Sequence, residues 1–386
     1  LTQLTGQLDR LQTRQPLAQM CVDEQTVGAV VSDWTGIPLG KMLRDEMATV
    51  LRLEDTLADR VIGQDHALQA IAQRICIARA GLEDPGKPIG VFLLVGASGV
   101  GKTETALALA DILYGGERNL ITINMSEYQE AHTVSTLRGS PPGYVGYGEG
   151  GILTEAVRRK PYSVVLLDEV EKAHPDVLEM FFQVFDKGVM DDAEGREINF
   201  KNTVILLTSN VGTDIIMNAC RNVVAMPSVK ALGDVLQDEL SRRFTQAFLG
   251  RLQVVPFYPL KDDVLKEIVG LKLAKIKQRV LLNHNASFVY DEKIVAAIAA
   301  RCTEVDSGAR NIDNLVHGTL LPAVAQAMLG RIADGQPVEK ISVSVDIRGD
   351  FSYALTPAAV EPEPHICRRG DTSHFSINSQ DATYER

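Results

Sequence analysis

The sequence predicts an α/β protein in which a parallel sheet with flanking helices is followed by a smaller α+β lid domain. Between about residues 88 and 256, short apolar runs alternate with stretches that carry apolar residues at helical spacing. This alternation is typical of parallel strands joined by helical crossovers. After residue 260 the pattern changes to a long amphipathic helix, short alternating strands and a further helix. That change predicts the second, smaller domain.

The predicted strands of the large sheet are apolar runs rich in Val, Ile and Leu, as expected for strands buried on both faces. They are Ile89–Val95, Leu120–Asn124, Ser163–Leu167, Thr203–Ser209 and Arg251–Phe257.

A glycine-rich motif follows the first strand and precedes a predicted helix, and it fits G-x-x-x-x-G-K-[ST] at each position. Its residues are Gly96, Ala97, Ser98, Gly99, Val100, Gly101, Lys102 and Thr103. Glycines let backbone N–H groups turn inward around a phosphate, and the helix N-terminus adds partial positive charge. Lys102 can reach the β- and γ-phosphates, and Thr103 can ligate Mg²⁺. A glycine-rich turn without a ligand is the simpler interpretation, but the strand–loop–helix context favours a phosphate site.

Polar residues end two other predicted strands, at the sheet edge where open α/β sheets bind ligands. Asp168 is placed to hold Mg²⁺, and Glu169 to polarise a water for attack on the γ-phosphate. Without the glycine-rich motif, these two acids could merely start a surface loop. Asn210 is a candidate for orienting the attacking water, and a strand-end cap is its alternative role.

The stretch between residues 139 and 151 is too rich in Gly and Pro for regular structure, yet it carries Tyr144 and Val145. A loop with a large ring is unusual unless the ring touches a partner, although the ring could also fold back onto the body. Residues 186–199 are acidic and turn-rich and are expected to form a second loop.

We divide the chain into four parts. Residues 1–45 are expected to form a linker from an upstream module, 46–260 the large α/β domain, 261–346 the small lid domain, and 347–386 a disordered tail. The chain begins at Leu1 in the middle of a helical pattern, so we expect a fragment of a longer protein.

Composition excludes several function classes. The net charge of −11 argues against a general nucleic-acid-binding surface, although a local basic groove stays possible. The five cysteines are scattered without a C-x-x-C pair, so neither a disulfide framework nor a zinc site is predicted and a reducing cytoplasm fits. No apolar run approaches 18 residues, so no membrane span is expected.

Taken together, the motifs and their order resemble those of the AAA+ ATPases of the Clp unfoldase family. The motifs that carry this resemblance are Gly96–Thr103, Leu166–Glu169, Thr208–Asn210, Phe248–Arg251 and Gly308–Arg310. The Val31–Pro38 linker and the Gly143–Gly146 loop resemble the second ATPase module of that family. Within it, Asn124–Val134 and Gly146–Gly151 look most like the ClpV group, the type VI secretion ATPases, and ClpB disaggregases are the nearest alternative.

The resemblance implies further roles. ATP and Mg²⁺ would be the ligands, with Val61 and Ile62 packing on adenine. Arg251 would act as a finger in the site of a neighbouring subunit of a homo-hexamer, and Arg310 would be a second sensor in the lid. Tyr144, with Val145 beside it, would grip a polypeptide threaded through the pore. Sequence alone would leave both arginines as ordinary surface residues.

For ClpV-like proteins the threaded substrate is the small subunit of the contracted secretion sheath, so sheath disassembly is the expected function. An Ile-Gly-Phe/Leu triplet for docking a peptidase does not occur between Val211 and Val235, which makes coupling to a protease doubtful. Two other functions stay open: a nucleotide-dependent oligomerisation module, and a DNA-associated helicase loader, which the acidic charge disfavours.

Overall fold

The computed structural model describes residues 42–140, 150–221, 227–303, 308–334, 338–346 and 351–357, together with a few residues between 22 and 31. Tyr144, Val145 and most of the predicted linker lie outside these residues. In the part of the chain that is described, none of the helices combines the length and the apolar character needed to cross a membrane.

The strands in chain order are β1 Gly90–Val95, β2 Leu120–Asn124, β3 Val164–Asp168, β4 Val189–Asp191, β5 Glu197–Asn199, β6 Val204–Ser209, β7 Gln253–Pro256, β8 Ser287–Tyr290, β9 Val338–Val345 and β10 Phe351–Pro357.

The helices are α1 Met42–Leu51, α2 Leu53–Ala58, α3 Asp65–Arg79, α4 Lys102–Tyr114, α5 Val134–Arg138, α6 Ile152–Arg159, α7 Pro175–Lys187, α8 Thr213–Cys220, α9 Val229–Arg243, α10 Gln246–Leu249, α11 Asp262–His284, α12 Glu292–Thr303, α13 Arg310–Leu315 and α14 Leu321–Ala333.

Five strands form the central sheet in the order β2-β3-β6-β1-β7. All neighbouring pairs are parallel, so the carboxyl ends of β1, β3 and β6 meet at one edge. Alternate residues of each strand serve opposite faces: Phe92 and Leu94 pack with α3 and α4, whereas Leu93 and Val95 pack with α7 and α9. This burial of both faces is the reason that the strands are continuous apolar runs. The predicted α/β fold class is confirmed.

The smaller domain has its own core around the sheet β10-β9-β8. Phe288, Ile298 and Ile312 are among its fully buried residues. This separate core agrees with a lid domain after residue 260, but the individual domain boundaries stay predictions.

Two predictions about irregular segments were wrong for the part of each segment that forms strands. Residues 351–357 of the predicted disordered tail form β10, antiparallel to β9, with Phe351 and Leu355 packed against the core of the small domain. The alternation of Phe351, Tyr353 and Leu355 is a strand pattern that the Pro- and Glu-rich residues further on obscured. The expected loop at 186–199 contains the antiparallel hairpin β4–β5.

Candidate functional site

A cavity of about 350 Å³ opens at the carboxyl edge of the central sheet, between the large and small domains. It brings together most of the predicted site residues. From the large domain these are Val61, Ile62, Ser98, Gly99, Val100, Gly101, Lys102, Thr103, Asp168, Glu169 and Asn210, and from the small domain Arg310. Gly96 and Ala97 are not among the lining residues and instead hold Lys102 by their carbonyl oxygens.

The glycine-rich loop has the backbone that a phosphate site requires. Gly99 and Gly101 have φ values of +75° and +108°, in the left-handed region that favours glycine. Gly101 is the N-cap of α4, so the following backbone N–H groups of the helix face the cavity from its positive end. The loop and helix therefore suit an anion at this edge.

Lys102 is buried, with only 8% of the residue exposed. Its Nζ donates to the carbonyl oxygens of Gly96 (2.5 Å) and Ala97 (2.9 Å) and to Oδ1 of Asn210 (2.9 Å). Burial lowers the pKa of Lys102 to about 8, against the opposing effect of nearby carboxylates, of which Glu171 is the strongest. Because an ammonium group has three donors, a phosphate oxygen would have to replace one of these neutral acceptors.

The two acids are oriented by the next strand of the sheet. The Thr208 hydroxyl, at the end of β6, donates a short hydrogen bond to Oδ1 of Asp168 and accepts the backbone N–H of Glu169 at 3.0 Å. Glu169 itself has a φ of +57°, an uncommon value for a residue with a side chain. Its carboxylate pairs with Nζ of Lys172 at 2.6 Å. Thr208 thus holds both the backbone of Glu169, which has the uncommon φ, and the carboxylate of Asp168.

The residues present fit a magnesium ion bound together with a triphosphate. Among the described residues no group of three or more His, Cys, Asp or Glu has the arrangement of a protein-only metal site. Mg²⁺ is usually held by one or two protein oxygens, with phosphate oxygens and water completing the shell. Thr103 and Asp168 both line the cavity and offer such oxygens.

The wall that would face a base is apolar and firmly attached. Val61 is 3% exposed and lines the cavity beside Ile62. The segment is held by Gln64, which exchanges hydrogen bonds with the backbone of Tyr258 at 2.8 and 3.0 Å and donates to the Val100 carbonyl at 3.3 Å. This contact ties the predicted adenine-binding pair to the phosphate loop.

The small domain touches the phosphate loop through its backbone. The N–H of Ala309 donates to the carbonyl of Gly99 at 3.0 Å. Gly308 has a φ of +56°, and a Cβ at this position would lie 3.0 Å from the same carbonyl oxygen. Arg310 follows, and its exposed side chain lines the cavity. The lid and the loop are therefore coupled even apart from Arg310.

Arg251 is not among the residues that line the cavity of its own chain. Its Nε pairs with Asp186 at 2.9 Å, and its guanidinium lies 4.9 Å from the centre of the Phe182 ring. Its side chain is 31% exposed, so it is partly buried as well as ion-paired. The predicted action in a neighbouring subunit stays a prediction, as does the role of Tyr144 and Val145.

Sequence reasoning missed the residues that support the site. Thr208 stood inside a quoted motif but was given no role, and Glu171 was not singled out. Glu171 accepts the backbone N–H of Asn210 at 3.1 Å, although the two residues are 39 positions apart. The only signal in the sequence was the position of both residues next to strand ends at the binding edge.

Two family models match consecutive parts of the chain. Residues 87–255 match the AAA domain (Cdc48 subfamily), and residues 260–340 match the C-terminal, D2-small domain, of ClpB protein.

Curated relatives match over most of this chain. It is 59% identical over 344 residues to the AAA+ ATPase ClpV1 of Pseudomonas aeruginosa, which covers 89% of this chain and 38% of the relative. It is 53% identical over 329 residues to the chaperone protein ClpB of Yersinia enterocolitica, covering 85% of this chain and 37% of the relative. The chaperone protein ClpB of Meiothermus ruber is 43% identical over 340 residues, covering 87% of this chain and 39% of the relative. The chain thus spans less than two fifths of the length of each of these relatives.

Proposed function

The chain belongs to the AAA+ ATPases of the Clp family, as their C-terminal AAA module, and from this premise we propose that it hydrolyses ATP to drive the remodelling of other proteins. The observation that carries the proposal is the meeting of Lys102, Asp168, Glu169 and Asn210 at one cavity, with the phosphate loop along its wall. The groups that bind the triphosphate and activate the attacking water are present there, and the further positive charge that phosphoryl transfer requires would come from a neighbouring subunit.

The residues divide the chemistry among them. Lys102 and the backbone N–H groups of the loop bind the phosphates, and Thr103 with Asp168 would hold Mg²⁺, which supplies charge neutralisation on the phosphate oxygens. Glu169 accepts the proton of the attacking water. Asn210 orients that water through its side-chain amide. Val61 and Ile62 contribute the apolar contact for adenine.

We further propose that turnover needs a second subunit. Positive charge beyond Lys102 and Mg²⁺ has to reach the γ-phosphate, and an arginine from the adjacent subunit of a homo-hexamer can supply it. The position of Arg251, away from its own cavity and partly exposed, supports this role. Arg310 would report the nucleotide state to the lid, because it lines the cavity from the small domain.

The proposed work is threading a polypeptide through the hexamer pore, with Tyr144 and Val145 gripping the chain. Disassembly of a contracted type VI secretion sheath in the cytoplasm is the specific task that we favour, because the ClpV1 match exceeds the ClpB match (59% against 53% identity). A general ClpB-type disaggregase is the alternative. A module that only holds an oligomer together is disfavoured because the phosphate-binding Lys102 and the proposed base Glu169 are both present at the cavity.

Replacement of the proposed base tests the hydrolytic part. Glu169→Gln in the full chain should bind ATP with near-normal affinity and lose turnover by at least about 100-fold. Glu179→Gln on α7, an exposed residue, removes the same charge elsewhere and should hydrolyse normally. Normal turnover by Glu169→Gln would refute the assignment.

The proposed substrate is tested separately. Tyr144→Ala should retain ATPase activity and lose release of sheath subunits from contracted sheaths. A protein that dissolves heat aggregates but leaves sheaths intact would instead be a general disaggregase. Turnover that does not depend on protein concentration would contradict the trans-acting Arg251.

A further inference from the structure

Glu171 is a carboxylate next to the site that has been given no role so far beyond its electrostatic effect on Lys102. It lies in the 3₁₀ turn Val170–Lys172, directly after the two acids at the end of β3. Its Oε1 accepts the backbone N–H of Asn210 at 3.1 Å. Its Oε2 is buried and has no hydrogen-bond partner among the described residues. The Oε1 contact is therefore the hydrogen bond through which this side chain acts on the site.

Asn210 is held at both ends of its backbone. Glu171 holds the N–H, and Thr213 donates to the carbonyl through its hydroxyl at 2.6 Å and its N–H at 3.3 Å. With the backbone held in this way, the side-chain torsions are the remaining freedom of Asn210. Its Oδ1 is consequently delivered to Nζ of Lys102 at 2.9 Å.

The turn that carries Glu171 is itself held in place by a contact that does not involve Asn210. Arg243, the last residue of α9, donates from Nε at 2.8 Å and from Nη2 to the carbonyl oxygen of Glu171. This forked contact fixes the main chain of the turn from outside the cavity. The side chain of Glu171 therefore reaches Asn210 from a rigid support.

We propose that Glu171 is a positioning residue for hydrolysis, which fixes Asn210 through Oε1 and thereby aims the Asn210 amide at Lys102 and at the attacking water. The proposal rests on the ATP hydrolysis proposed above and deepens it. Once a phosphate oxygen takes the place of Oδ1 on Lys102, the Asn210 amide is released toward the water while its backbone stays in place. Rotation of one side chain then suffices to change from the first contact to the second.

Three substitutions distinguish the effect of the length of the Glu171 side chain from the effect of its charge. Glu171→Gln keeps the length of the side chain and an acceptor oxygen but removes the charge. Glu171→Asp keeps the charge but is too short to reach the Asn210 N–H. Glu171→Ala removes both. If Glu171 acts by position, Gln should keep kcat within about threefold of wild type, whereas Asp and Ala should each lose about tenfold or more in kcat. Measured at pH 6.5, well below the pKa of about 8 of Lys102, the Kd for ATP should change little in all three.

The outcomes are distinguishable. A normal Asp variant with an inactive Gln variant would assign the role to charge and overturn the proposal, and so would equal loss in all three or loss in none. A fall in thermal stability that parallels the fall in kcat in both Gln and Asp would indicate a structural role and overturn it as well. Absence of ATP hydrolysis by the unaltered protein would refute the proposed function itself, since the comparison among variants presupposes a working site.

Discussion

Thr208→Val is the substitution that tests the support of the two acids most directly. Thr208 is 2% exposed, and valine replaces its hydroxyl with a methyl group of similar size, so the shape of the side chain at the end of β6 is retained. What disappears is the hydroxyl that donates to Asp168 and accepts the N–H of Glu169. The change therefore removes two hydrogen bonds from the site and little else.

The magnitude follows from these two contacts. A hydrogen bond to a charged group contributes about 1.5–3 kcal/mol and a neutral one about 1 kcal/mol, so the loss is about 3 kcal/mol. This is less than the usual stability of a domain, roughly 5–15 kcal/mol, so the variant should fold at 25 °C with a lower Tm. Loss of a residue that orients a metal ligand typically costs about 10–100-fold in metal affinity or activity. The half-saturating Mg²⁺ concentration for ATP hydrolysis should therefore rise at least about tenfold.

The assay is ATP turnover as a function of Mg²⁺ concentration, beside thermal unfolding of the same samples. Thr208→Ser, which keeps the hydroxyl, is the matched control and should restore the Mg²⁺ dependence. A valine variant with the Mg²⁺ dependence of the unaltered protein would refute the reasoning, whatever its Tm.

The remaining predictions concern the lysine, the lid and the arginine. Burial lowers the pKa of Lys102 to about 8, and a bound triphosphate raises it. ATP affinity should therefore be constant below pH 8 and fall by up to about tenfold per pH unit above it. Calorimetric titration between pH 7 and 9.5 measures this affinity, and an affinity that does not change with pH contradicts the prediction. Gly308→Ala places a Cβ 3.0 Å from a carbonyl oxygen of the phosphate loop at a positive φ, so it should cost about 1–2 kcal/mol of stability and weaken ATP binding. Gly233→Ala, where a Cβ meets nothing within 4 Å, is its control in the same unfolding experiment and should not weaken binding. Asp186→Asn releases the ion pair of Arg251 and should lower the protein concentration at which ATPase activity is half-maximal; an unchanged or higher concentration would count against a trans-acting arginine.

The central sheet was predictable because its signals are local. Each strand is a continuous apolar run, and the motif from Gly96 to Thr103 names its own chemistry through residue type and spacing. The positions of Asp168 and Asn210 followed from the rule that parallel strands end at one edge. These residues line one cavity in the structure.

The supporting contacts could not be predicted in the same way. The hydrogen bonds between Thr208 and Asp168, and between Asn210 and Glu171, join residues about 40 positions apart and depend on which strands are neighbours. The strand order places β6 between β3 and β1, and the sequence contains no separate signal for that order. The strand β10 was missed because seven alternating residues precede a tail of different composition.

The three acceptors around Lys102 bear on how quickly the site releases its product after ATP hydrolysis. A buried ammonium group without hydrogen-bond acceptors would bind any anion tightly, and the product of ATP hydrolysis would then dissociate slowly. Here Gly96, Ala97 and Asn210 offer the ammonium a neutral resting place within 3 Å. When the product leaves the loop, Lys102 thus exchanges phosphate oxygens for these protein oxygens. This exchange favours rapid product release, so that the site can bind ATP again.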